Sequence, residues 1–127
     1  MTRSIAVLLL LLSPLLASPA NADDEVQPIE ICRDFSFIAK EIMTARQMDK
    51  PMSENLPNAR DLVKGWADKY GLAVDMEEAE KTAADMVMDA YVKASYDVGK
   101  LQQDQIGDFE NSYFRACYTE LTSESEE

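Results

Sequence analysis

Cys32 and Cys117 stand 85 positions apart, near the two ends of the chain, and are its only thiols. A disulfide between them ties the first structured segment to the last, which restricts the fold more than any other feature of the sequence. Such a bond persists in oxidising compartments, and the chain opens with the means to reach one. Arg3 supplies a positive charge, Ile5 to Leu16 is apolar except at Ser13 and Pro14, and Ala20-Asn21-Ala22 has the small-x-small form that signal peptidase accepts. The competing reading is an uncleaved membrane anchor. The apolar run falls short of the roughly 20 residues that span a bilayer, and Asp23, Asp24 and Glu25 follow at once. The expectation is a signal peptide over 1–22, cleavage near Ala22, a disordered leader over 23–27, and a periplasmic or secreted product. No cysteine stands directly after the small residues at the cleavage site, which argues against a lipoprotein.

Residues 23–127 suit one compact domain and are too few for two ordinary ones. The full chain carries a formal charge of −12, and loss of Arg3 makes the product more negative still. That balance repels phosphate backbones and anionic headgroups, so nucleic-acid and membrane-surface partners are not expected. A basic protein partner is permitted, although the charge also serves simply to keep an exported domain in solution.

Apolar residues recur at helical spacing in four stretches, and strand-like alternation is missing. The first begins at Pro28, suited to a first helical turn, carries Ile31, Phe35, Ile38, Ile42 and Ala45, and runs to about Gln47. Asp49, Lys50 and Pro51 form a linker. A second helix starts near Ser53 or Asn55, with Pro57 expected in its first turn and Leu62, Val63, Trp66 and Tyr70 on its buried side. Gly71 is its expected stop. Asp75 and Glu78 have the spacing of a capping box, and an alanine-rich stripe from Ala79 to Ala94 follows. After a break at Ser95 to Gly99, with Asp97 a candidate N-cap, the last helix carries Leu101, Ile106, Phe109, Tyr113, Ala116 and Cys117. Gly107 within it either makes room for a bulky neighbour or is tolerated. The helical domain is expected over 28–122 and an acidic tail over 123–127.

A bridge from the start of the first helix to the end of the fourth fits an all-α, antiparallel four-helix bundle of up-down-up-down order. Phe35 and Ile38 then meet Phe109 and Tyr113, with Ile42 near Ile106. A redox role for the pair is disfavoured, because there is no C-x-x-C spacing and no histidine or helix start to lower a thiol pKa.

The chain contains no histidine. The commonest general base and the commonest metal ligand are thus both missing, and no catalytic residue, metal site or cofactor is expected. Carboxylates remain: Asp85 with Asp89, and Asp104 with Asp108, share helix faces at a spacing of four. Paired acids serve glycoside chemistry or calcium, but a solvated acidic face explains them more simply. Trp66 and five tyrosines line either a groove or the core rim. Met43, Met48 and Met52 cluster near the first linker, where an adaptable docking surface competes with core filling.

One pattern remains: Cys32, Ile42-Met43, Arg46-Gln47, Met52-Ser53, Ala90-Tyr91, Tyr96, Phe109, Tyr113 and Cys117-Tyr118. It resembles small, uncharacterised, signal-bearing helical proteins of Gram-negative bacteria and their prophages. The chain departs from that pattern after Gln47, with Met48 where glycine is expected. The resemblance implies a periplasmic helical protein and brings no activity with it. Arg46, Gln47, Met48 and Met52 are the candidate interaction residues, although Arg46 and Gln47 also suit solvation of a helix end and neutralisation of its dipole. The leading functional expectation is a non-enzymatic protein that binds an unidentified protein partner. The alternative is an acid-stress chaperone similar in size and build to those of the HdeA type. An enzyme working through paired carboxylates is the third.

Overall fold

The computed structural model describes residues 26–125 and is an all-α bundle of four helices. They are α1 (Pro28–Gln47), α2 (Met52–Lys69), α3 (Met76–Tyr91) and α4 (Gly99–Ser125). The signal-peptide expectation over 1–22 and residues 23–25 of the expected leader lie outside the described residues, while Val26 is exposed and Gln27 is the N-cap of α1, its carbonyl accepting from the Glu30 and Ile31 N–H groups. None of the described helices is long and apolar enough to cross a membrane.

Two antiparallel pairs, α1 with α4 and α2 with α3, make up the bundle, and α1 also packs on both α2 and α3. The contact between α3 and α4 is the thin side. Cys32 and Cys117 are disulfide-bonded, with their Cα atoms 5.6 Å apart and both residues buried. Inward from the bridge, Phe35 meets the edge of Tyr113 at 6.2 Å between ring centroids, and Tyr113 meets Phe109 at 5.0 Å. On the other side Phe35 packs against Trp66 at 4.7 Å. These rings, with Ile31, Ile38, Ile42, Met43, Val63, Met86, Val87 and Ile106, form one core.

The helix ends follow local rules. Gly71 takes φ +67 after α2. There the Leu72 N–H donates to the Ala67 carbonyl and the Gly71 N–H to that of Asp68, the paired bonds of a Schellman stop. α1 ends in the same way, with Asp49 at φ +59, Lys50 N–H on the Ala45 carbonyl and Asp49 N–H on that of Arg46. The left-handed position is thus Asp49, one residue beyond Met48. Asp75 caps α3 by accepting from the Glu78 N–H at 2.8 Å. The reciprocal half of the box is not made: Glu78 Oε2 is buried without a hydrogen-bond partner.

Several expectations need correction. α2 begins at Met52, so Pro57 lies one turn inside it and denies the Ser53 carbonyl its helical donor. Leu62 is exposed, and Ala59 and Ala67 take the place expected of it in the core. Leu101 is also exposed, so the buried part of α4 starts at Ile106. α4 begins at Gly99, with the Val98 carbonyl accepting from Gln102 N–H, one position later than a cap at Asp97 requires. Its other end reaches Ser125, inside the expected tail. A Cβ on Gly107 would meet nothing within 4 Å, so no neighbour requires glycine there. Finally, α3 stops at Tyr91 and leaves Ala94 outside it.

Candidate functional site

The early end of α3 follows from the last two residues of α1. Arg46 lies over the Tyr91 ring, its guanidinium carbon 5.1 Å from the centroid, and donates through Nε and Nη2 to the Lys93 carbonyl at 3.2 and 2.9 Å. Gln47 is buried. Its Nε2 donates to the Ala94 carbonyl at 2.8 Å and its Oε1 accepts from the Tyr96 N–H at 2.9 Å. These bonds satisfy backbone groups that a continuing helix would have paired, so the chain can leave α3 and turn into α4. Ser95 Oγ on Asp49 Oδ1 at 3.0 Å and the Gln102 amide on the Tyr96 carbonyl complete the clamp.

A second buried amide sits below it. Asn55 Nδ2 donates to the Ile42 carbonyl at 3.0 Å and to the Tyr91 hydroxyl at 3.2 Å, and that hydroxyl donates to the Lys50 carbonyl. One polar network thus joins the end of α1, the start of α2 and the end of α3. Of the four candidate interaction residues, Arg46 and Gln47 have their hydrogen-bonding groups engaged within the chain, while Met48 and Met52 are 65% and 41% exposed. Met43 is fully buried, so the three methionines divide between core and surface.

Beside this network runs an open groove of about 530 Å³ between the second half of α1 and the first half of α2. Ile42, Ala45 and Ala59 form its floor, and Met48 and Leu62 stand at its lips. Phe35 against Trp66 and Asn55 against the Ile42 carbonyl fix the antiparallel register. Glu41 and Asp61 therefore share one end, while Met48 and Lys50 mark the other. Met52 lies outside the groove lining, at the first turn of α2.

The carboxylates have other places. Asp89 Oδ2 accepts from the Tyr113 hydroxyl at 3.2 Å across the thin α3–α4 side. Burial first, then the Asp89 and Asp85 charges, push the Tyr113 hydroxyl well above its ordinary range, so it stays a donor. Asp89 and Asp108 also line a smaller cleft of about 260 Å³ with Lys93 and Phe109. Asp104 is exposed and pairs loosely with Lys100 at 3.5 Å. At the disulfide end, Asp34 accepts from Lys69 Nζ at 2.7 Å and from the Tyr70 hydroxyl. Lys69 first and Tyr70 second hold its carboxyl below the usual carboxylate range. Trp66 Nε1 donates to the Ile31 carbonyl at 3.0 Å in the same corner.

Sequence reasoning missed Asn55, the Asp34–Lys69–Tyr70 cluster and the Asp89–Tyr113 bond. Each joins residues at least 13 positions apart, and no local pattern marks such pairs except a polar residue on an apolar stripe. Of the residues in the pattern noted from the sequence, Cys32, Ile42, Met43, Ala90, Phe109, Tyr113 and Cys117 belong to the stapled core, Arg46, Gln47, Tyr91 and Tyr96 build the clamp, and Met52, Ser53 and Tyr118 are exposed and belong to neither. No family model matches the chain, and no curated protein or solved structure does either.

Proposed function

We propose that the chain is exported, loses residues 1–22, and acts in the periplasm or outside the cell as a non-enzymatic protein that binds another protein. The observation that carries this reading is the open α1–α2 groove, with exposed Met48 at its mouth. Methionine at the lip of a cleft with an apolar floor adapts to an incoming side chain at low cost. The buried disulfide suits an oxidising compartment. A photo-reactive amino acid in place of Met48 tests the reading in the exported chain. The expected result is one discrete protein adduct, identified by mass spectrometry and lost on Leu62→Glu. A control probe at exposed Lys81 giving the same adduct pattern would remove the support for the groove.

An acid-stress holdase remains the second reading, and the ties between helix pairs favour it. Asp34 secures α2 to α1 and Asp89 secures α4 to α3. Protonation of Asp34 weakens the first of these ties while the net charge swings strongly positive. Failure of the purified protein at pH 2 to suppress client aggregation would discard this reading.

A further inference from the structure

The groove's own chemistry narrows its occupant. Two of the groove's three uncharged polar side chains are engaged inside the chain, which leaves Asn58: Thr44 Oγ1 donates to the Lys40 carbonyl at 2.7 Å, and the Asn55 amide to Ile42 and Tyr91. An extended peptide would find few partners there for its backbone N–H and C=O groups. A helix brings those bonds with it. The floor is lined by small side chains at Ala45 and Ala59, so a helix can approach closely. Glu41 to Met48 covers about two helical turns of α1, which sets the length of the contact.

Charge sets its direction. Glu41 and Asp61 lie at one end and Lys50 at the other. Asp61 is engaged by its neighbour Arg60 at 3.3 Å, an exposed pair that solvent screens heavily. A helix places partial positive charge at its N-terminus and partial negative charge at its C-terminus. Resting on the reading of this groove as the binding face, we propose that its occupant is a two-turn amphipathic helix of a partner protein. It lies parallel to α1, with a basic N-terminal end beside Glu41 and Asp61 and its C-terminal end at Lys50. A second copy of this chain is a poor occupant, because its formal charge of −12 repels its own kind.

The test uses the full processed chain and two hydrocarbon-stapled helical peptides of about 12 residues, stapled because free helices of that length are marginal. Both carry leucines on one face. One has lysines in the first turn and glutamates in the last, and the other reverses them. Amide chemical shifts of the labelled protein give the location of binding and its affinity. The lysine-first peptide is expected to shift residues 41–62 and to bind roughly tenfold tighter than its reverse at low salt. The exposed double substitution Glu41→Lys with Asp61→Lys is expected to invert that preference. Equal affinities, shifts confined to another face, no binding by either peptide, or a concentration-dependent dimer seated in the groove would each overturn the proposal. The Met48 cross-link reports separately on whether the groove binds a protein at all.

Discussion

Gln47→Ala is the substitution that most sharply separates architecture from recognition. Gln47 is 3% exposed, and its amide serves the Ala94 carbonyl and the Tyr96 N–H. Truncation strands two backbone groups, at about 1 to 3 kcal/mol each if they stay dry. Partial rehydration of the exposed loop brings the expected loss to about 2 to 4 kcal/mol. For a domain near 100 residues that is a fall of roughly 10 to 20 °C in Tm. Circular dichroism melts give the magnitude, and amide exchange at Tyr96 gives the location. Gln47→Glu adds a check of sign. A carboxylate can still accept from Tyr96 but faces the Ala94 carbonyl with no proton to donate. Its folded-state pKa is therefore raised, so that variant should regain stability as pH falls and carboxylic acid O–H replaces the lost donor. A Gln47→Ala protein that melts within about 2 °C of the parent, with Tyr96 protection unchanged, would refute the clamp.

Replacing both cysteines with alanine opens a loop of 85 positions. Chain entropy alone predicts a loss of about 4.6 kcal/mol and a fall of roughly 20 °C in Tm. Gly107→Ala should stabilise by about 1 kcal/mol in urea unfolding, since the position is helical and the new methyl meets nothing within 4 Å. Asp34→Asn should lower the melting temperature at pH 7, where the Lys69 contact is intact. Because the folded pKa of Asp34 is depressed, that contribution exists above the unfolded value near 4 and is lost as pH falls through the folded one. Melts of the two proteins should therefore converge in acid.

Much of the architecture was legible because it is written locally. Helical stripes located four helices, Gly71 marked an end, Asp75 marked a start, and two cysteines dictated which helices lie side by side. The misses share one physical cause, tertiary contacts that override local preference. The alanine stripe runs on to Ala94, yet α3 ends at Tyr91 because Arg46 and Gln47 take over the backbone pairing from 47 positions away. Leu62 fits the helical stripe but lies on the groove lip, since Ala59 and Ala67 fill the core on that side of α2. The resemblance offered Arg46 and Gln47 as interaction residues, with solvation of a helix end as their simpler role, whereas their hydrogen-bonding groups hold the loop that follows α3. The groove itself had no sequence signature beyond the exposed methionine, because a cleft belongs to two helices at once.

The most direct measurement is the intact mass of the protein taken from an expressing cell's exterior compartment, alkylated before and after reduction. The account predicts a chain beginning at Asp23, lighter by two hydrogens than its free-thiol form, and taking up alkylating agent only after denaturation with reductant. A chain that keeps Met1, or that is alkylated at Cys32 and Cys117 while folded and unreduced, would contradict it.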